Sequence, residues 1–469
     1  MLFTEFRFVV FFLVAFSVYW ALKKNTSRKV WLLVCSYVFY GAWDWRFCGL
    51  MAFSTMVDYH AGRMLGQDDP PRGRKFWLIF SLISNLGLLG FFKYFNFFVT
   101  SGQGLFDLVG LEFPVSTLEI ILPVGISFYT FQTLSYTLDI YRRSLKPVSN
   151  LLDFALFVGF FPQLVAGPIV RAVDFLPQLD TRRRLASVDF RACLTLFLIG
   201  FIKKACISDN LAMVADRYFD SPELYDLGSA ITATLYYAVQ VYCDFSGYSD
   251  MAIATAGLLG YTLCLNFAHP FFSVNVEEFW RRWHISLSQW LRDYVFVSLL
   301  RRGRNSKLII ARNLMITFAI CGLWHGASWN YVVFGLLHGA GSTFNIVSRP
   351  FIMARPLLSK VLHRVGPLIT FYFVCITIVF FRPSGWEVTG TTLKAFVLFD
   401  APGELNLGNT ALWLFPCLVA VHWISYKRWF AEPWRRAPHW LCYTLWGAGV
   451  ALALQWAAKD FRPFVYFQF

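Results

Sequence analysis

The sequence predicts an all-α integral membrane protein. Of its 469 residues, 57% are hydrophobic and only 15% are charged, whereas soluble domains carry about 25% charged residues. The apolar residues form long runs rather than short alternating stretches, which favours membrane helices over a membrane β-barrel. Because no repeat, low-complexity tract or soluble appendage interrupts these runs, residues 1–469 are expected to form a single polytopic membrane domain.

The apolar runs predict about eleven membrane crossings, together with re-entrant and amphipathic surface helices. The runs are residues 6–22, 30–42, 48–65, 76–98, 118–140, 190–205, 230–261, 308–323, 331–347, 368–381, 411–424 and 441–457. The first run has no basic region before it and no small-residue cleavage site after it, so we expect a retained span rather than a signal peptide. Residues 48–65 contain Asp58 and His60, and form either a span or a partly buried helix.

Residues 151–170 lie between two basic loops, so a single crossing does not fit them. Gly167-Pro168 is expected to break the helix and to make this segment re-entrant, with a pair of Pro-kinked helices as the alternative. Non-helical backbone at membrane depth is tolerated only inside protein or beside water. The segment, which includes Gln163, is therefore expected to form a cavity wall.

The formal net charge of +14 is carried largely by short loops between apolar runs. The basic loops alternate with residues 100–117, which contain no Lys or Arg, so the positive-inside rule places the basic loops in the cytoplasm. Both termini are expected on the other side of a bacterial inner membrane. Because the positive charge lies in these loops and no nucleic-acid recognition module is evident, nucleic-acid binding is not expected.

The ten cysteines include no C-x-x-C pair, so neither a zinc site nor a disulfide framework is indicated.

The first of two histidine stretches is residues 279–288, FWRRWHISLS. On one continuous helix, Arg281, His284, Ser288 and Arg292 would share a face. That basic stripe is expected to lie near the cytoplasmic surface, where it can meet a phosphorylated or acidic acyl donor, either coenzyme A or an acyl carrier protein. The stripe alone favours the other interpretation, a surface helix that binds anionic lipid headgroups.

Charged residues flank this stretch on both sides. Two acidic residues precede it, Arg282 lies within it, and a basic run follows at Arg301, Arg302, Arg304 and Lys307. Negative charge is favourable at a helix N-terminus, so the acidic pair supports a helix that begins there.

The second stretch is residues 322–326, GLWHG, which places His325 beside Trp324 at the end of an apolar run. An ionisable side chain at membrane depth is costly and by default marks a pathway or a site. Imidazole is well suited to take a proton from a hydroxyl group near neutral pH, as acyl transfer from a thioester to an alcohol requires. The alternative for His325 is a packing role with a hydrogen bond to a backbone carbonyl.

Residues 242–250 are too polar for a lipid-facing helix and are expected to face the interior of the bundle. Polar residues of this and other apolar runs are candidates for the wall of the cavity around the histidines. They are Asp244, Asp250, Gln132, Gln163 and, as a minor candidate, His338. The two carboxylates can orient a histidine or carry protons. The favoured interpretation is instead a structural ion pair with Arg281 or Arg282.

Five motifs in this order resemble those of the membrane-bound O-acyltransferase superfamily. They are residues 123–129 (PVGISFY), 161–168 (FPQLVAGP), 242–250 (YCDFSGYSD), 279–294 (from FWRRWH) and 322–327 (GLWHGA). The resemblance is closest to the bacterial branch of alginate O-acetylation membrane subunits and D-alanyl-lipoteichoic acid transfer proteins. It implies a ring of helices around a central tunnel, with His325 as the catalytic histidine and His284 as the second histidine of the Trp-Arg-Arg-Trp-His motif.

The resemblance also implies a substrate and partners. The expected donor is a cytoplasmic thioester, acetyl-CoA above all, whose acetyl group crosses the tunnel while no cofactor or metal is bound. A periplasmic acetyltransferase then modifies an exopolysaccharide such as alginate, near a polysaccharide synthase or secretion complex. D-alanyl transfer, lipid or protein acylation, and a transporter without covalent chemistry are the alternatives; a transporter would favour inverted repeats, and we find none.

Overall fold

A computed structural model of the chain describes residues 1–111, 113–300, 306–382, 385–408, 414–458, 462, 464 and 465. The all-α prediction is confirmed for these residues, in which the β-pairing is limited to an isolated bridge between Tyr225 and Leu405. The α-helices are α1 (Phe6–Ala21), α2 (Asn25–Asp44), α3 (Arg46–Leu65), α4 (Gly73–Leu89), α5 (Phe95–Asp107), α6 (Ile126–Tyr141), α7 (Leu151–Gly159), α8 (Phe161–Leu164), α9 (Ala172–Asp180), α10 (Phe190–Phe201), α11 (Asp209–Phe219), α12 (Leu227–Leu258), α13 (Val276–Arg282), α14 (Ile285–Trp290), α15 (Val297–Leu299), α16 (Lys307–His325), α17 (Trp329–Met353), α18 (Pro356–Phe381), α19 (Trp386–Leu398), α20 (Leu414–Tyr426), α21 (Ala431–Arg436) and α22 (His439–Trp456).

Three helical stretches within the described ranges are long and apolar enough to cross a membrane. They are Gly73–Asp107, Lys307–His325 and Pro356–Phe381, and shorter apolar helices occur at Phe6–Ala21 and Phe415–Tyr426. The count of eleven crossings, the central tunnel, the side of each terminus and the single domain therefore stay predictions. Residues 411–413, at the start of one predicted span, and the basic residues Arg301, Arg302 and Arg304 lie outside the described residues.

Helix α12 is the most deeply buried long element and carries the polar stretch 242–250. It packs against α10, α11, α18 and α19, and both Asp244 and Ser246 are fully buried. The prediction that this stretch faces the interior of the bundle is confirmed. Helix α3 shows the same behaviour, because its Asp58 is buried and accepts hydrogen bonds from Ser81 at 2.6 Å and Asn85 at 2.8 Å on α4.

Helices α16 and α17 form an antiparallel hairpin whose axes approach unusually closely. A Cβ atom at Gly322 would lie 2.0 Å from the Tyr331 carbonyl oxygen, and one at Gly335 would lie 2.0 Å from the Phe318 oxygen. Only glycine leaves room for this contact. The close packing fixes the end of α16, where His325 lies, against the first turns of α17.

The predicted break at Gly167-Pro168 occurs, because α8 ends at Leu164 and residues 165–171 are not helical, and a second break precedes it. Helix α7 ends at Gly159 and the chain turns at Phe160, before the short helix α8. The reason is Pro162, which has no N–H group to donate to a carbonyl one turn earlier. Gln163 closes the break, because its side-chain nitrogen donates to the Phe157 carbonyl oxygen at 2.6 Å. Whether the segment re-enters the membrane stays a prediction.

Among the residues that the structure describes, three helical paths contain a π-helical turn, which accommodates one more residue than a turn of α-helix. The turns are Gly90–Tyr94, Ile202–Ser208 and Leu291–Phe296. Each carries charged residues inside an otherwise apolar path, Lys93 in the first and Lys204 in the second. Such turns occur frequently at functional sites.

Candidate functional site

The two histidine stretches converge in the interior of the bundle. The His284 side chain is fully buried and His325 is 1% exposed. The Trp324 ring lies between them, with its centroid 5.5 Å from that of His284 and 4.9 Å from that of His325. Two histidines from separate segments therefore contact one tryptophan.

The continuous helix predicted through His284 is wrong. Helix α13 ends at Arg282, Trp283 is extended, and His284 adopts the left-handed conformation with φ 42° and ψ 55° before α14 begins. The cause is backbone pairing with a distant segment. The Ala268 nitrogen donates to the Arg282 oxygen, and the Ile285 nitrogen to the Asn266 oxygen, both at 2.9 Å.

A left-handed conformation in a residue other than glycine costs about 1–3 kcal/mol, and the surrounding hydrogen bonds offset it. The break separates residues that were predicted to share a face. Arg281 stays at the surface with its side chain 67% exposed, while His284 points into the core. Ser288, half-buried, donates to the Trp283 oxygen at 3.2 Å.

A hydrogen-bond network defines the tautomer of His284. Its Nδ1 lies 3.1 Å from Oδ1 of Asn266, and the same oxygen accepts from the Ser286 hydroxyl at 2.9 Å. The Ser286 backbone N–H also donates to this oxygen at 3.3 Å, which fixes which amide atom faces His284, and the Asn266 Nδ2 donates to the Ser249 hydroxyl at 3.1 Å. Nδ1 therefore carries the proton, and Nε2 keeps the lone pair that a base requires.

His325 is held by different means. It is the last residue of α16, and its ring centroid lies 5.0 Å from that of Phe381 and 5.7 Å from that of Phe334. Its Nε2 lies 3.7 Å from the Cys321 sulfur, one turn earlier on the helix. The imidazole is thus enclosed by aromatic and sulfur groups.

Two residues of the first π-helical turn hold the end of α16. The Lys93 ammonium donates to the Trp324 carbonyl oxygen at 2.6 Å and to the His325 oxygen at 3.4 Å, and the Tyr94 hydroxyl donates to the Leu323 oxygen at 2.8 Å. These carbonyls have no partner within the helix, and a cation is favourable at the negative end of the helix dipole.

Sequence reasoning missed Lys93 as a site residue, although a lysine inside an apolar run was a usable signal. It also missed Asn266, for which the sequence offers no comparable signal.

A small cavity of about 50 Å³ opens beside Trp324, the ring that both histidines contact. Lys93 and Trp324 line it together with residues 122–128 and Val165. Gly125 has a positive φ of 76°, and a Cβ atom there would lie 2.5 Å from the Leu164 oxygen. The motif at 123–129 therefore forms a wall of this cavity, and its Phe128 ring lies 5.4 Å from Trp324.

The favoured ion pair between the α12 carboxylates and Arg281 or Arg282 is wrong. Asp244 pairs with Lys204 and Asp250 with Lys203, each at 2.7 Å. The reason is the close approach of α10 and its π-helical extension to α12, which places both lysines beside the carboxylates. Lys204 also contacts Asp209 at 2.7 Å, and the Val465 nitrogen donates to Asp244 at 2.7 Å.

The arginines of the predicted basic stripe form ion pairs with carboxylates that lie close to them in the sequence. Arg281 contacts Glu277 at 2.9 Å and Arg282 contacts Glu278 at 2.6 Å. Arg292 pairs with Asp293, which also contacts Arg171. Burial would raise the pKa of Asp293, but hydrogen bonds from these two arginines outweigh burial and lower that pKa.

The side-chain hydrogen bonds of His338 and Gln163 go to Trp280 and Phe157. The Nδ1 of His338 accepts from the Trp280 indole at 3.1 Å, and its ring packs 4.6 Å from Phe334, which in turn packs on His325. His338 therefore supports the aromatic layer behind His325. Gln163 is buried in the α7–α8 break rather than beside the histidines.

Comparison with known proteins agrees with the arrangement of these motifs. The family model of the membrane-bound O-acyltransferases matches residues 134–383. A probable alginate O-acetylase of Pseudomonas aeruginosa is 39% identical over 413 residues, which cover 87% of this chain and 78% of that protein. A peptidoglycan O-acetyltransferase of Helicobacter pylori is 36% identical over 419 residues, covering 83% and 77%.

A more distant relative is a teichoic acid D-alanyltransferase of Streptococcus thermophilus, 30% identical over 235 residues, which cover 47% of this chain and 56% of that protein. The family match spans both histidines and most of the helices that position them. The relatives named above are acyl-transferring enzymes. This chain is therefore a multi-pass membrane O-acyltransferase and belongs to the membrane-bound O-acyltransferase family.

Proposed function

We propose that this protein moves acetyl groups from a cytoplasmic thioester, acetyl-CoA or an acyl-carrier thioester, across the inner membrane for O-acetylation of an exopolysaccharide such as alginate. The observation that carries the proposal is the meeting of His284 and His325 at Trp324 in the bundle interior. Similarity to O-acetylases over most of the chain supports an acetyl group as the cargo.

In the proposed reaction, His325 takes the proton of the acceptor hydroxyl as its oxygen attacks the thioester carbonyl. The tetrahedral intermediate then collapses, the carbon–sulfur bond breaks, and the proton passes to the departing thiolate. His284 shares the Trp324 contact and keeps its Nε2 lone pair, so it is the second candidate for proton transfer. A covalent acyl-histidine intermediate is the alternative form of the same step.

An interior site suits this reaction because coenzyme A is large and highly charged and only the two-carbon acyl group needs to cross. The cavity lined by Lys93 and residues 122–128 is the proposed acceptor side, since the positive-inside rule places the start of α6 away from the cytoplasm. Donor binding by Arg281 and Arg282 stays a prediction. Their glutamate partners would compete with the donor for the two guanidinium groups.

The acceptor has two candidates. A periplasmic acetyltransferase that serves an exopolysaccharide synthase or secretion complex is the first, because the alginate O-acetylase of P. aeruginosa has the higher identity. Peptidoglycan is the second, because the H. pylori relative is nearly as similar over a comparable length. D-alanyl transfer ranks below both, since that relative covers less than half of this chain.

The test is the acetyl-ester content of secreted polysaccharide and of peptidoglycan in a deletion strain that expresses wild type, His325→Ala or His60→Ala. Loss of a general base lowers rates by about 10²–10⁴-fold, so we expect the His325 variant to restore no measurable esters at equal membrane abundance. His60 is exposed on α3 and serves as the histidine control.

Ester recovery in the His325 variant would reject His325 as the base. If wild type restores esters in neither polymer, the acetyl-transfer proposal fails and the D-alanyl and lipid acceptors move forward. Recovery in only one polymer identifies the acceptor.

A further inference from the structure

A second and larger cavity lies on the side of the bundle, away from the cavity of Lys93. It has a volume of about 660 Å³ and is formed chiefly by α17 and α18, with the start of α13 as its floor. Its residues nearest the α17–α18 turn include Arg349 and His363, and its far end is formed by Leu337 and Phe373. We call this cavity the α17–α18 groove.

The groove is amphipathic along its length. Near the turn it is lined by basic and hydroxyl groups, whereas farther along it is apolar. Phe344 is 67% exposed and Ile369 is 55% exposed on its outer edges, and α18 is long and apolar enough to cross a membrane. The open side of the groove therefore faces the region that lipid chains occupy.

The charge of the groove is positive. No acidic residue occurs in the sequence between Asp293 and Glu387, which includes all of α16, α17 and α18. The carboxylate in the lining, Glu277, contacts Arg281 at 2.9 Å. Within the part of the chain that the structure describes, Arg349 is in no ion pair. An anionic group is thus the complementary partner for the basic end.

The dimensions suit a lipid chain. The stretch of α17 from Leu337 to Ile352 spans about 22 Å at about 1.5 Å per residue. One leaflet of the hydrocarbon core is about 15 Å deep, half of the whole. A headgroup at the cytoplasmic end of the helices can therefore place an acyl chain along the full apolar part of the groove.

A layer of aromatic rings separates the inner end of the groove from the catalytic candidates. Phe373 packs 5.3 Å from His338, His338 packs 4.6 Å from Phe334, and Phe334 packs 5.7 Å from His325. A molecule in the groove would support this layer without entering the reaction centre. The groove is therefore distinct from the acceptor route proposed above, and it shares only Arg281 with the proposed donor contact.

We propose that the α17–α18 groove binds a membrane phospholipid with an anionic headgroup. Its phosphate lies at Arg349 with hydrogen bonds from the hydroxyl groups of Ser348 and Ser359, and one acyl chain follows α17 towards Leu337 and Phe373. This inference does not depend on acetyl transfer, and its test needs no activity measurement.

The test uses the purified full-length protein after delipidation in a neutral detergent. Native mass spectrometry and thermal melting are recorded with phosphatidylglycerol, phosphatidylcholine, inorganic phosphate or coenzyme A. We expect phosphatidylglycerol alone to bind and to raise the melting temperature. Arg349→Gln should weaken its binding about fivefold, since a basic residue near a membrane contributes about 1 kcal/mol.

The matched control is Arg364→Gln, which removes the same charge from the exposed face of α18 outside the groove lining. Equal weakening in both variants would mean general surface charge and would overturn the proposal. Binding of phosphate or coenzyme A at the strength of phosphatidylglycerol would overturn it as well, in favour of a soluble ligand.

A steric variant keeps the proposal testable if Arg349→Gln fails to fold. Ala340 is exposed in the apolar part of the groove, so Ala340→Phe fills the chain path without removing charge. We expect loss of phosphatidylglycerol binding in this variant with an unchanged melting temperature in lipid-free detergent. Undiminished binding would reject the assigned path of the acyl chain.

Discussion

His284 and His325 contact the same tryptophan but are positioned by different kinds of interaction. His284 lies at a strained break between two short helices, where Asn266 Oδ1 accepts a hydrogen bond from its Nδ1. His325 ends a helix of 19 residues, and Lys93 and Tyr94 hold the carbonyl groups of that helix end. The first ring is oriented through its own hydrogen bond, and the second through the backbone that carries it.

The difference matters because the two arrangements respond to different substitutions. Changes in the polar network should alter the orientation and tautomer of His284 while α16 stays in place. Changes at the end of α16 should shift His325 while the Asn266 network stays intact. The following substitutions test this separation, from the largest expected effect to the smallest.

Removal of the buried ion pairs next to His284 should have the largest effect on stability. Asp244 precedes Phe245, whose ring lies 4.6 Å from His284, and its partner Lys204 has a side chain only 4% exposed. Lys204→Met leaves the buried Asp244 and Asp209 without their cation, which typically costs about 3–5 kcal/mol. We expect a large fall in the melting temperature in detergent.

The control for Lys204 is Lys394→Met, because the side chain of Lys394 is 58% exposed in its pair with Asp400. An exposed pair contributes about 0–1 kcal/mol, so this variant should melt close to wild type. Similar melting of the two variants would show that the buried pairs do not support the His284 region.

The Asn266 network should come next. Asn266→Ala removes the acceptor of His284 Nδ1 and of the Ser286 hydroxyl, and leaving a buried donor unpaired costs about 1–3 kcal/mol. We expect the transfer rate to fall at least about tenfold, since that cost applies to the orientation of His284. Ser249→Ala removes only the acceptor of the Asn266 Nδ2 and should have a smaller effect. Rates equal to wild type in Asn266→Ala would mean that packing alone orients His284.

Lys93 should have the smallest effect of the three positions. Lys93→Met removes a cation from the end of α16, an interaction of about 0.3–1 kcal/mol. We expect up to about a fivefold loss in transfer rate, with partial retention in Lys93→Arg. Tyr94→Phe, which loses a single hydrogen bond, should lie between Lys93→Arg and wild type. A wild-type transfer rate in Lys93→Met would mean that the α16–α17 contact, rather than Lys93, positions His325.

The sequence was sufficient for the fold class because that depends on local patterns. The apolar runs predicted the helices, and the polar stretch around Asp244 predicted a buried helix, as found. His325 and His284 came from motifs and from the family resemblance, and the structure brings them together, while their roles stay proposals.

The errors have a common origin in long-range contacts. The periodicity of residues 281–292 is helical, but pairing with Asn266 and Ala268 breaks the helix at His284. The partners of Asp244 and Asp250 are lysines on a π-helical turn, and single-sequence periodicity does not reveal which helix will pack beside α12. Local sequence patterns therefore do not predict contacts between segments that are far apart in the chain.

The π-helical turns have a consequence for how the enzymes of this family can be compared. Each turn holds one residue beyond what a regular helix needs, so it rotates every later side chain on that helix by about 100°. Lys93 and Lys204 lie on two of these turns and contact groups in the interior of the bundle. A homologue that lacks one residue at such a turn would present a different side chain at the same depth. In alignments of these proteins, a one-residue gap within residues 90–94 or 202–208 therefore marks a change in the interior, even where the flanking apolar residues match.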